Sequence, residues 1–302
     1  MDAEIQQVKK CLTSLTQMSV YITNVCKVRC RFHSPTLPMI PEPDLTVFDW
    51  IRQGRDELPQ TRTPDWNGNF VSHLMPPVFE SYAKLLHRIQ AHYQFIDYPL
   101  SASENAVLGI TACKTLKSFV ERRRTASQGT RIRWKELAEL LHVPFAPAIN
   151  HEWYRKRLAD PWCWPGLLSG PDEGFLTEEE CWTLAARLKL LEGDQECFFR
   201  FSDIPFYAPP TSGKPQLFRG SLENVCRVQN EERLSFEYWR PLDQSWCVCS
   251  DYDLKFTVIG GRRTLISALL HDGDLECIEV TPQTRIDVFA PMPKRVTEYN
   301  LL

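Results

Sequence analysis

The sequence predicts an α+β protein: a mixed or antiparallel sheet built on a three-strand meander near the C-terminal end, with helices packed on it, and a mainly helical N-terminal half. Three observations carry this. Phe236 to Gly261 holds three short apolar, aromatic-rich runs, broken by Pro241-Leu242-Asp243 and by Ser250-Asp251-Tyr252-Asp253 and stopped at Gly260-Gly261. Such runs separated by turn residues read as consecutive antiparallel strands. Helical periodicity recurs upstream, and a sheet is needed to bury the apolar faces it creates.

With 302 residues, 43% hydrophobic and 24% charged, the chain has enough apolar material for one large domain or two packed ones. The composition divides into an N-terminal helix and proline-rich arm (1–69), a mainly helical subdomain (70–150) and an α+β subdomain (151–302) packed with it. A formal net charge of -3 argues against a protein dominated by attraction to nucleic acid or anionic membranes. No run reaches the roughly 20 apolar residues of a membrane span, and the opening MDAEIQQVKK lacks a signal-peptide apolar region. The expected location is cytoplasmic, with no membrane partner. The 11 cysteines are scattered without a repeated short spacing, as befits reduced, buried thiols.

Asp2 to Met18 reads as a helix and Val20 to Val25 as a strand, followed by a Cys26, Cys30, His33 spacing that resembles the cluster loop of radical SAM enzymes but has His33 in place of the third Cys. No metal or cofactor is therefore assigned. Prolines at 35, 38, 41, 43, 59 and 64 forbid a long helix across the arm, where Trp50 within Val47–Ile51 is the hydrophobic anchor. Phe70–Leu74 reads as a strand. Pro76-Pro77 open a helix carrying Val78, Tyr82, Leu85 and Ile89 at helical spacing, with His87 and His92 expected in solvent. Ser103–Arg124 is a second helix, and WKELAELL from Trp134 a third.

Arg122, Arg123, Arg124, Arg131, Arg133 and Lys135, beside Trp134, form the chain's basic concentration. Cations neutralise phosphates and an aromatic ring can stack on a base, so this segment is the candidate nucleic-acid site. Trp153, Tyr154, Trp162 and Trp164 crowd an irregular stretch; Trp162, Trp164 and Trp239 are the candidate anchors for a protein partner. His151-Glu152 is an adjacent acid/base pair. Thr177-Glu-Glu-Glu180 is a capping box that starts a helix over 178–191. Strands follow at Glu196–Phe201 and Gln216–Arg219, then a short helix from Ser221. After the three runs come a helix within Arg263–His271 and a strand at Leu275–Thr281. Asp251 and Asp253, two apart, would share a strand face where paired carboxylates hold a divalent cation or work as acid and base.

Trp239, Arg240-Pro241-Leu242-Asp243, Trp246-Cys247-Val248, Asp251, Asp253, Thr257 and Ile259-Gly260-Gly261, with the Leu265–Leu270 helix, together resemble an uncharacterised group of bacterial proteins. The Pro76-Pro77 to His87 segment looks like that group's as well, so the resemblance spans about 70–281; it carries no functional residue across. Leu74 to Leu86 is similar to the first helix of SMI1/KNR4-type immunity proteins, which bind toxins and do not catalyse. That likeness implies a partner-binding role. Nucleophile-elbow, P-loop, dinucleotide, zinc-protease and paired CxxC patterns are absent. The function expected is thus a protein-binding or regulatory module of the immunity or defence kind. The alternatives are nucleic-acid binding through Arg122–Lys135 and a metal-assisted hydrolase at Asp251 and Asp253.

Overall fold

A computed structural model describes residues 39–56, 69–96, 102–158, 167–201, 217–232 and 235–293. Among these, eight strands form one antiparallel sheet and eight α-helices cover it. In chain order the strands of this sheet are β1 (Ile40–Pro41), β2 (Ser81–Leu86), β6 (Cys197–Phe201), β7 (Leu217–Gly220), β8 (Phe236–Pro241), β9 (Cys247–Cys249), β10 (Phe256–Gly261) and β11 (Cys277–Val280). Their spatial order is β1-β7-β6-β8-β9-β10-β2-β11. A second, three-stranded sheet is made by β3 (Ile89–Ala91), β4 (Arg131–Ile132) and β5 (Leu168–Ser169), in the order β4-β3-β5.

The strand β2 lies between β10 and β11, with Thr257 and Cys277 both opposite Leu85. The large sheet therefore crosses the boundary at 150 that composition suggested. This is also where the expected helix at 78–93 gives way to two strands. All six residues of β2 are buried, because Tyr82 and Leu86 face one apolar cluster while Ala83 and Leu85 face another. A strand buried on both faces loses its alternation, and a continuous apolar run then fits a helical period equally well. Phe70–Leu74, expected as strand, is instead the single helical turn α2 (Val71–Leu74).

One face of the sheet packs against α1 (Asp49–Asp56), α2, α3 (Ala102–Thr125), α4 (Trp134–Leu141) and α5 (His151–Leu158). Hydrogen bonds fix this layer. Tyr238 Oη donates to Leu74 O (2.7 Å) and Tyr82 Oη to Pro76 O (2.8 Å). Arg240, 2% exposed on β8, donates to Val47 O and lies over the rings of Phe48 (5.2 Å) and Phe198 (5.0 Å), pinning the segment that leads into α1. Phe48 and Ile51 are buried there, and Trp50 is partly so.

The other face packs against α6 (Glu178–Glu192), α7 (Glu223–Arg227) and α8 (Arg263–Leu270). The capping box that starts α6 is present: Glu180 N donates to Thr177 Oγ1 (3.3 Å) and Thr177 N to Glu180 Oε2 (3.0 Å). Ahead of it, residues 172–176 cross the end of the sheet under several clamps. Gly174 N donates to Leu254 O (2.9 Å), Ser235 Oγ to Gly174 O (2.6 Å), and Gln229 Nε2 to Leu176 O. Gly174 has φ +69°, and a Cβ there would stand 2.7 Å from Tyr252 Cα, a backbone atom. Gly174→Ala therefore loses about 1–3 kcal/mol of stability in urea unfolding through backbone strain and close approach; an unchanged midpoint would show that the crossing is not tight.

Candidate functional site

The polar side chains with chemical potential gather where β2 ends. Lys84 sits mid-strand at 0% exposure, on the face toward α4 and α5. Its Nζ donates to Pro147 O (2.6 Å) and Ile149 O (2.7 Å) in the loop between those helices and lies 4.9 Å from the centre of the Phe256 ring. Burial lowers its pKa from 10.5 to about 7. A neutral amine has two N–H donors, and the two carbonyls use both.

Three residues on, His87 is 1% exposed rather than solvated as its sequence context suggested. Its Nδ1 contacts Asp172 O (2.8 Å), which only an N–H can satisfy, so Nε2 accepts from Thr257 Oγ1 (3.0 Å). That hydroxyl in turn accepts from Ser250 Oγ (2.7 Å). Burial is the dominant cause holding His87 down to about 4, so the ring is neutral at physiological pH. A hydroxyl–hydroxyl–imidazole chain has the components of a nucleophile and its base. Here Ser250 and Thr257 are 5% and 0% exposed. The chain satisfies itself inside the sheet and presents no open face to a substrate.

The basic segment folds back onto this hub. Trp134 Nε1 donates to His87 O (2.7 Å), and Tyr154 Oη donates to Trp134 O (2.8 Å). Glu276, just before β11 and 6% exposed, accepts from the amides of Trp134 (2.8 Å) and Lys135 (2.9 Å). A carboxylate at the start of α4 satisfies two otherwise unpaired donors and suits the positive helix end. Burial nonetheless raises its pKa, against the lowering effect of those two amides.

The arginines proposed to meet phosphate are largely spent on the protein itself. Arg123, 8% exposed, binds both carboxylate oxygens of Glu136 (3.0 and 3.1 Å) and reaches Gln128 O and Arg131 O. Arg131 donates to Asp274 O and Arg133 to Gly273 O. Around them stand Arg88, paired with Glu179, and the buried Glu180, whose Oε1 lies 3.8 Å from Arg88 Nε. Arg122 and Arg124 are exposed on α3, and Arg122 lines an open cleft of about 400 Å³ with Ser118, Glu121, Thr125 and Ala126. Lys135 is exposed as well.

Of the aromatic anchors, Trp239 is 1% exposed and packs edge-on to Trp246 (ring centres 6.2 Å apart), so it belongs to the core and forms no part of a surface patch. It alternates on β8 toward the α6–α8 face, a placement that strand register decides and composition does not. Trp162 and Trp164 lie outside the described residues, as do Cys26, Cys30 and His33. Asp251 Oδ1 accepts from Asp253 N (2.9 Å), so the pair forms a turn rather than a shared strand face. Among the described residues no group of three or more His, Cys, Asp or Glu side chains is placed to hold a metal ion. His151 Nε2 lies 3.2 Å from Glu152 Oε1. Burial first, then the charges of Lys255 and Arg155, hold His151 down to about 3, so the ring is neutral and the contact is not an ion pair.

No helix among the described residues is long and apolar enough to cross a membrane. No family model matches the chain, and neither a curated protein nor a solved structure is significantly similar to it.

The buried amine of Lys84 gives a pH signature with a definite sign. Between about pH 7 and 10.5 the unfolded chain holds a proton on this side chain that the folded chain does not. Stability therefore rises with pH across that window, by at most about 1.4 kcal/mol per pH unit. In urea unfolding, wild type gains on Lys84→Met as pH rises from neutral into the alkaline range. Parallel pH profiles for the two proteins would show that Lys84 stays charged when folded.

Proposed function

We propose that this chain is a cytoplasmic protein-binding or regulatory module, whose partner is another protein. The observation that carries the reading is a division of labour between interior and surface. The groups able to do chemistry, Lys84, His87, Ser250, Thr257 and Glu276, are buried and bonded to one another or to backbone. Among the large apolar side chains exposed in the described residues, three stand where α6 and β8 end. Leu190 and Leu191, in the last turn of α6, are 74% and 38% exposed, and Leu242, in the turn from β8 to β9, is 50% exposed.

These residues sit on fixed supports. Leu242 N donates to Glu196 O (3.3 Å), just beyond the end of α6, and Arg262 after β10 pairs with Glu192 (2.5 Å). Apolar groups held rigid before binding lose little conformational entropy on association. Such anchors replace Trp239 in the role expected of it. The immunity or defence association rests on the resemblance of Leu74–Leu86 to SMI1/KNR4-type proteins, and within that segment the structure has strand β2 where the resemblance implies a helix.

Affinity purification with the full chain as bait tests the reading when run beside two variants. Recovery of one stoichiometric protein by wild type and by Arg122→Glu/Arg124→Glu, and its loss with Leu190→Glu/Leu242→Glu, is the expected result. Recovery of nucleic acid that is lost on reversing the arginines, and retained by the leucine variant, would replace protein binding with the phosphate-binding alternative.

A further inference from the structure

Cys197, Cys247 and Cys249 are buried free thiols, the placement of unreactive structural cysteines. Two of the others are placed differently. Cys181, in the first turns of α6, and Cys226, in α7, are both 0% exposed, and their sulfur atoms lie 2.8 Å apart. Two unbonded sulfurs in van der Waals contact stand roughly 3.6 Å apart, whereas a disulfide is about 2.05 Å. The thiols are therefore inside contact distance and less than about an ångström from bonding distance. The helices that carry them are also tied by Lys189 Nζ to Glu223 Oε1 (2.8 Å), so the sulfurs face each other on fixed supports.

We propose that Cys181 and Cys226 are a redox pair, closing to an intramolecular disulfide that staples α6 to α7 when a small disulfide oxidant reaches them. The chemistry is two thiol–disulfide exchanges. One Cys thiolate attacks the oxidant's S–S bond, forming a mixed disulfide and expelling one thiolate, which takes up the proton lost by the cysteine. The second Cys thiolate attacks the protein sulfur of that mixed disulfide, forming the Cys181–Cys226 bond and expelling a second thiol. The oxidant is reduced to two thiols and the protein loses two hydrogens. Burial holds the Cys226 thiol above its ordinary pKa, so exchange waits on local opening between α6 and α7. The bond would join residues 45 apart in sequence and so restrict the unfolded chain.

The test uses the full-length protein incubated with glutathione disulfide in mildly alkaline buffer containing sub-denaturing urea. Free thiols are then blocked by alkylation under denaturing conditions and the protein is mapped by mass spectrometry. The expected product is a linked peptide pair containing Cys181 and Cys226, lighter by two hydrogens than the separate peptides. Its formation should raise the urea midpoint, and dithiothreitol should reverse the rise. Cys226→Ala should show no midpoint shift on oxidation; Cys181→Ala serves in its place if the first variant does not fold. Recovery of both cysteines alkylated, arrest at the glutathione adduct, or linkage of either to a different cysteine would overturn the proposal. None of these outcomes depends on the protein-binding reading.

Discussion

The structure depends on one placement: β2, from the first third of the chain, is threaded between β10 and β11. An antiparallel strand with a neighbour on each side satisfies its backbone donors and acceptors only when both neighbours are present. The pairing therefore ties residues near 80 to residues near 260 and 280, and it brings the side chains at the end of β2 to the centre of the molecule. Lys84, His87 and Arg88 each reach a different part of the chain from there: the loop between α4 and α5, the 172–176 crossing, and the start of α6.

That hub explains why polar groups lie in the core without an obvious catalytic arrangement. A buried polar atom without a partner costs about 1–3 kcal/mol, and an irregular loop crossing a sheet exposes many such atoms. The carbonyls of Pro147, Ile149, Asp172 and Gly174 find partners in Lys84, His87 and Ser235. Glu276 performs the same service for the amides at the start of α4. Side chains that could serve chemistry in a cleft are here used to let loops lie against the sheet.

Local signals were legible in the sequence, and long-range ones were not. Thr177 and Glu180 are three residues apart, so the capping box marks the start of α6 before any tertiary contact is known. The helices at Ala102–Thr125 and Trp134–Leu141 likewise lie where periodicity put them. β2 was hidden because burial on both faces erases the alternation that marks a strand. Its His87 looked like part of a helix's wet face. Arg131 and Arg133 looked like a phosphate site because composition shows charge but not partner, and their partners are carbonyls more than 100 residues away. Cys181 and Cys226, 45 residues apart, carry no spacing that would mark them as neighbours.

Native-state amide hydrogen exchange on the full chain tests the central placement most directly. If β2 holds the two halves of the chain together, the amides of 82–86 exchange only through global unfolding, at the same slow rate as those of β8 and β10. Exchange of 82–86 through a separate, lower-energy opening that leaves β8 and β10 protected would contradict the account, because β2 would then be an added strand and not the one on which the sheet depends.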